Sequence, residues 1–309
     1  MVTHVNDVQD DLGLGEGRTN QNFIAKDDAT GQRFFVRIGS DLPAYGVSRA
    51  KEQAAARAVD ASGVGAKVVH SELPDALVCE FVDGRSLTEA EVKKACDGED
   101  AALLASLTAT MRRLHATPLP AEIATVAPSA PRWAPPDLTR WLAYAKQGGF
   151  VRVPIVEEAE ALLSKVEVAA GPLEDARFCH FDLLPDNFVC ARHADGAAPT
   201  IHIVDFEYCN SGQPLMDLSI LAMGCGLTGA QEGALLRSYL EVAELTRQHT
   251  ITFLAVKVLA TVRETLWGVV AEVSGSSALA PEEAAKYTDE NYAKFEVAKA
   301  AFEEQVKPG

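Results

Sequence analysis

Up to Val82 the chain is mostly built of short runs in which apolar and polar residues alternate; beyond Thr88 the apolar positions recur at the helical spacing. Arg33-Phe34-Phe35-Val36-Arg37-Ile38 is the clearest alternation, with Phe34, Val36 and Ile38 on one face and Phe35 and Arg37 on the other. Phe23-Ile24-Ala25, Lys67 to His70 and Ala76 to Val82 read as further strands, and Lys26 to Gly31 is turn chemistry. One early segment breaks the alternation: Ser48 to Ala61, rich in alanine and in the charges Arg49, Lys51, Glu52 and Arg57, is predicted as a helix. Residues 1–12 read as a short helix or a lead-in.

The later pattern is helical. Leu103, Leu107, Met111 and Leu114 share one face of a helix over Ala101 to Ala116. Leu138 to Lys146, Val156 to Ala169, 230–245, 250–272 and Pro281 to Val306 are further helices, and the proline-rich stretch 117–137 reads as an ordered loop. Strand-like runs return only at Phe188-Val189-Cys190 and Ile201 to Val204, joined by a turn over Arg192 to Gly196. Tyr208 to Pro214 reads as a loop, and Asp217 as the cap of the buried helix that Met216 to Ala222 opens.

That hairpin carries the chemistry. It is preceded by His180-Phe181-Asp182-Leu183-Leu184-Pro185-Asp186-Asn187 and followed by Val204-Asp205-Phe206-Glu207. H-x-D-x-x-x-x-N is the spacing of the kinase catalytic loop, and Asp-Phe-Glu stands where protein kinases carry D-F-G. Phosphoryl transfer needs a carboxylate to accept the proton of the attacking hydroxyl, for which Asp182 is the candidate. It also needs hard oxygen ligands for Mg²⁺, for which Asn187 and Asp205 are the candidates. The hairpin brings the three to one end, facing one volume.

Other segments gain meaning from that loop. Gly15 and Gly17, followed by Thr19 and Asn20, make a glycine turn; ahead of a kinase-like loop, Gly17, Thr19 and Asn20 become candidates for a nucleotide-covering turn with backbone N–H groups over the phosphates. Arg37 is a lone charge on an apolar strand, a costly arrangement unless paired. Glu52 in the following helix is its natural partner, although a helix charge of this kind also serves simply as an exposed one. Asp217 could also brace the catalytic loop. Glu80, Phe81 and Val82 fall where a hinge would offer backbone groups to adenine.

Composition narrows the partners. The chain has 309 residues, a formal charge of -16 and a sequence pI near 4.9. That argues against nucleic acid or an anionic membrane as partner and is compatible with a cationic small molecule. Six cysteines lie without a C-x-x-C, and the spacing of Cys179, Cys190 and Cys209 relative to His180, His193 and His202 fits no zinc pattern. Reduced thiols and a cytoplasmic location are expected. The amino terminus lacks the marks of a signal peptide, and no apolar run approaches the about 18 residues of a membrane span, so no membrane insertion is expected.

Taken together the motifs resemble the choline/ethanolamine kinase family, relatives of the aminoglycoside phosphotransferases within the protein-kinase-like fold. The resemblance is carried by Gly17 to Phe23, Phe35 to Ile38, Cys79 to Leu87, Arg113-Leu114-His115, His180 to Asn187 and Val204 to Tyr208, in family order along the chain. It implies an α+β, bilobal fold: a small N-terminal antiparallel sheet lobe with one helix over 1–83 for the nucleotide, and a larger, mainly helical lobe over 84–309 for catalysis and acceptor. It implies ATP and Mg²⁺ as cofactors and transfer to the hydroxyl of choline or ethanolamine. Asp182 resembles the catalytic base, Asn187 and Asp205 the metal ligands, and Arg37 with Glu52 the phosphate-side ion pair. For the acceptor, Glu207, Glu264, Trp267 and Tyr287 or Tyr292 are the candidates; Glu264 stands where the family often has a tryptophan. Trp267 as core packing, with Glu264 paired to a nearby arginine, is the competing reading. Aminoglycoside or thiamine acceptors, a nucleotide sensor without turnover, and a homodimer also stay open.

Overall fold

The computed structural model describes residues 4–6, 21–73, 76–124, 133–147, 152–172, 176–191, 197–274 and 279–307. Its first part is an antiparallel sheet of β1 (His4–Asn6), β2 (Gln21–Lys26), β3 (Arg33–Ile38), β4 (Val68–Glu72) and β5 (Ala76–Glu80), in the order β1-β2-β3-β5-β4. The alternating strand β3 lies at the centre, Arg37 opposite Asn22 on one side and Leu77 on the other. Helix α1 (Arg49–Ala61) covers the sheet through Ala56, which packs with Leu77 and Cys79. The opposite side of α1, Ala55 and Val59, joins a different core that contains Phe188 and Ile203. One short helix therefore belongs to both halves of the molecule.

The larger part is helical around two small β units. Strand β6 (Arg85–Ser86) pairs with β8 (Phe188–Ala191), which pairs with β9 (Thr200–Ile203). Strand β7 (Arg177–Cys179) pairs with β10 (Asn210–Gly212). Helices α2 (Glu89–Cys96), α3 (Ala101–Ala116), α4 (Ala121–Ala124), α5 (Pro136–Gln147), α6 (Val153–Ala170), α7 (Pro214–Cys225), α8 (Gly229–Leu240), α9 (Arg247–Ser274) and α10 (Pro281–Val306) follow along the chain. Thr88 and Glu91 form a reciprocal capping box at the start of α2. Leu103, Leu107, Met111 and Leu114 of α3 are all fully buried, as their spacing requires. Helix α9 is the spine: from Val258 to Ala271 every residue is buried, and α5, α6, α7 and α10 pack around it.

Several sequence expectations change. His4–Asn6 is a strand rather than part of a helix, held by pairing with β2. Asn210–Gly212, read as loop because it is polar, is a strand because β7 supplies the partner. The proline-rich stretch contains the single turn α4, and α5 starts at Pro136, a favoured first helical residue. Asp217 lies inside the first turns of α7 and caps no helix start; its carboxylate is committed elsewhere. Among the described residues no helix is long and apolar enough to cross a membrane, and all six cysteines are free and buried.

Candidate active site

The loop from His180 to Asn187 is held by backbone bonds to buried side chains. Asp217 Oδ2 accepts the His180 N–H at 2.8 Å and Oδ1 accepts the Phe181 N–H at 2.8 Å. His115 Nε2 donates to the same carboxylate at 3.0 Å, and His115 Nδ1 meets the Tyr239 hydroxyl at 2.7 Å. Burial works against the Asp217 charge, but His115 and the backbone donors outweigh it and hold the carboxyl below its ordinary value. His115, Cys179 and Asp217 lie close enough to suggest a metal cluster. Both nitrogens of His115 and both oxygens of Asp217 are already spent on this brace, and burial drives the Cys179 thiol far up, so the group is structural.

Phe181 then adopts φ +63°, a left-handed conformation that costs a non-glycine residue roughly 1 kcal/mol. His180 Nε2 donates to the Val204 carbonyl at 2.9 Å while Nδ1 accepts the Asp182 N–H at 3.2 Å. The imidazole is thus neutral, in agreement with the downward push of burial, and it fixes the Asp182 backbone against the strand that leads to Asp205. The Asp182 side chain is half-buried. Its proton affinity is raised, first by burial, then by the Glu264 carboxylate, with Arg263 opposing. A carboxylate so tuned is a better proton acceptor than a solvated one.

Asn187 and Asp205 meet because β8 and β9 pair. Phe188 lies opposite Ile203, and the Val204 N–H donates to the Asn187 carbonyl at 3.0 Å. Asn187 Nδ2 donates to the Asp182 carbonyl at 2.7 Å, which turns its amide oxygen away as a free ligand. Asp205 takes φ +65° and is exposed to solvent, between the half-buried Val204 and the buried Phe206. Among the described residues no donor pairs with it. Its proton affinity is raised, by the surrounding burial and then by Glu207 and Glu52. An unpaired carboxylate beside an amide oxygen is a donor set suited to a hard divalent cation, so the residues present fit Mg²⁺.

Opposite stands a chain of buried ions. Arg37 pairs with Glu52 at 2.5 Å, Arg49 with Glu52 at 2.6 Å, and Arg49 with Glu207 at 3.2 Å. Arg49 was not among the predicted site residues; the signal was present, since it stands three positions before Glu52 on one helix face. Glu207, predicted for the acceptor, is buried against Arg49.

The acceptor candidates gather on α9. Tyr287 donates to Glu264 Oε2 at 2.8 Å, and Arg263 Nη1 donates to Oε1 at 2.6 Å. Trp267 lies 5.0 Å from the Tyr287 ring and 5.3 Å from Tyr45, and its Nε1 donates to the Tyr208 hydroxyl at 3.0 Å. Glu264 and Trp267 therefore face the same way, as their spacing implies, yet Trp267 is buried and Glu264 has an arginine partner, as the competing reading has it. Arg263, fully buried over the Trp141 and Tyr208 rings and 3.9 Å from Asp137, carried no sequence signal beyond a charge in an apolar helix. Tyr292 bonds to Glu158 instead. At the hinge, the Glu80 side chain pairs with Lys67, and the Phe81 N–H is spent on Arg33. The Val82 N–H has no partner among the described residues. Gly17, Thr19 and Asn20 lie outside the described residues.

Known proteins share this fold. Residues 12–250 match the phosphotransferase enzyme family. The fold resembles that of a choline/ethanolamine kinase family protein from Mesorhizobium loti, at 23% identity over 98% of this chain and 91% of that one, with a TM-score of 0.69. It also resembles Plasmodium vivax ethanolamine kinase, at 14% identity over 98% and 84% of the two chains with a TM-score of 0.73. A spectinomycin phosphotransferase in complex with ADP and spectinomycin matches at 13% identity over 99% and 94%, with a TM-score of 0.58. No curated protein matches the sequence.

Proposed function

Because the chain belongs to the phosphotransferase enzyme family, we propose that it is an ATP- and Mg²⁺-dependent kinase acting on the hydroxyl of a small amino-alcohol, with choline or ethanolamine as the acceptor. The observation that carries the reading is the convergence of Asp182, Asn187 and Asp205 at one end of the β8–β9 hairpin, across from the Arg37–Glu52 pair. Asp182 orients the acceptor hydroxyl and takes its proton; its raised proton affinity supports that role. Arg37, steadied by Glu52, faces the phosphates. Asn187 and Asp205 hold the metal, which when bound neutralises charge on the transferred phosphoryl group. The Val82 N–H serves the adenine, and Gly17, Thr19 and Asn20 cover the phosphates.

The acceptor wall is Glu264, Trp267 and Tyr287. A carboxylate and aromatic faces together suit an ammonium group. The free cysteines and the acidic surface support a cytoplasmic setting.

The test is ADP release from ATP and Mg²⁺ with choline, ethanolamine, their methylated intermediates, thiamine and aminoglycosides including spectinomycin, with Asp182→Asn as control. Turnover on choline or ethanolamine that vanishes in the control supports the proposal. Turnover confined to an aminoglycoside or thiamine overturns the acceptor, and retained ATP binding without transfer to any acceptor overturns the enzyme reading in favour of a sensor.

A further inference from the structure

Glu207 stands two positions after Asp205, close enough in sequence to serve the same cation, yet the two side chains part company. Asp205 is exposed to solvent, whereas Glu207 is only 4% exposed and turns toward α1. What turns it is Arg49, whose Nη1 reaches Glu207 Oε2 at 3.2 Å and Glu52 Oε2 at 2.6 Å. Arg49 is itself anchored from the segment between β3 and α1: its Nε donates to the Ser40 carbonyl at 3.0 Å, and its backbone N–H to Asp41 Oδ1 at 2.7 Å. A planar guanidinium fixed at its Nε and carrying two carboxylates has little freedom to follow Glu207 elsewhere. Helix α1, the segment before it and the loop after β9 meet in this one side chain.

Resting on the kinase reading, we propose that Arg49 is a positioning residue of the metal centre: it holds Glu207 toward α1 and balances its charge, so that Asp205 and Asn187 are the ligands this chain presents and Glu207 is withheld. The consequence has a definite sign. A carboxylate released beside a hard divalent cation adds to the ligand charge and tightens binding. Loss of Arg49 therefore strengthens metal binding while it weakens catalysis, because Glu207 enters the site and Glu52 loses one of its two arginines. A purely structural role for Arg49 predicts the reverse for the metal, since a loosened site binds less well.

The experiment is direct titration with Mn²⁺ in the presence of ADP, followed by electron paramagnetic resonance, on the wild type, Arg49→Met, Glu207→Gln and the double variant, with kcat measured alongside. Expected are Mn²⁺ binding at least about threefold tighter in Arg49→Met together with a lower kcat, and return to near wild-type affinity in Arg49→Met/Glu207→Gln. Glu207→Gln alone stays within about threefold of wild type, since Glu207 is not a ligand. Unchanged or weaker Mn²⁺ binding in a folded Arg49→Met protein, tightening that persists in the double variant, or a loss of tenfold or more in Glu207→Gln overturns the proposal. Should Arg49→Met fail to fold, Glu207→Gln alone decides. If the wild type binds no Mn²⁺ with ADP, the kinase reading itself has failed, which is a separate result.

Discussion

Replacing Asp217 with alanine tests whether one buried carboxylate shapes the loop from His180 to Asn187. The side chain is 0% exposed and accepts from two backbone N–H groups at 2.8 Å and from His115 at 3.0 Å. Bonds to a charged group contribute about 1.5–3 kcal/mol each, and a buried donor left unmade costs its own desolvation. The three act on one loop and are not additive, so a loss of about 4 kcal/mol is expected. At roughly 2–4 °C per kcal/mol for a chain of this size, Tm falls by about 8–16 °C. Asp217→Asn keeps the shape but turns an amide NH₂ toward a backbone N–H, and should lose about half as much stability. The pH dependence has a sign as well: the folded value lies below the ordinary 3.8, so the stabilisation is present at neutral pH and disappears only as pH falls through that lowered value. Urea unfolding of the three proteins from neutral to acid pH, with kcat measured in parallel, is the assay. A loss below about 1 kcal/mol for Asp217→Ala at neutral pH would refute the reasoning.

Three further outcomes are expected. Gly212→Ala places a Cβ 2.3 Å from the Phe181 ring, so the strained residue before Asp182 must move; stability falls by about 2 kcal/mol and kcat drops more than nucleotide affinity, read by calorimetry and steady-state kinetics. Glu264→Gln removes the leading electrostatic contribution that raises the Asp182 proton affinity, so the acid limb of the kcat/KM profile, where rate falls as Asp182 is protonated, shifts to lower pH. Arg37→Lys keeps the charge but exchanges a planar fork for a single ammonium, and should raise the KM for ATP by about tenfold with the acceptor KM little changed.

The sequence is most legible where local spacing and tertiary placement agree. The period-two run of β3 put Arg37 on a face where only a partner makes a charge tolerable, and Glu52 is that partner. Asp182, Asn187 and Asp205 were readable as one group because they lie close in sequence and a hairpin brings them together. Asp217 was read both as a cap and as a brace, and only the second use is found; a carboxylate early in a helix carries the same local pattern in either case. Strand β10 was missed because Asn210-Ser211-Gly212 has no strand preference of its own and is strand only against β7. The partners Tyr45 and Asp137 were missed for the same kind of reason: they meet Trp267 and Arg263 across more than a hundred positions, where spacing says nothing.

The charges at the end of the β8–β9 hairpin lead to a final expectation. Around it stand the carboxylates of Glu52, Asp182, Asp205, Glu207 and Glu264 against the guanidinium groups of Arg37, Arg49 and Arg263. Arg49 bridges Glu52 and Glu207, and Arg263 holds Glu264, so the uncompensated charge falls on Asp182 and Asp205; their proton affinity is raised, as burial also raises that of Glu52 despite its two arginines. For both aspartates, the folded value lies above the unfolded one. The free protein therefore loses stability as pH rises through the raised values, and a divalent cation at Asp205 with a cationic acceptor near Asp182 restores it. Protons held there must leave when the metal–nucleotide complex binds. Calorimetric titration with Mg²⁺ and a non-hydrolysable ATP analogue, repeated in buffers of different ionisation enthalpy near neutral pH, should reveal net proton release that grows smaller as the starting pH is raised. In Asp205→Asn most of that release should vanish. Proton uptake, or release of the same size in Asp205→Asn, would place the excess charge elsewhere and remove the electrostatic reason for a metal at this end of the hairpin.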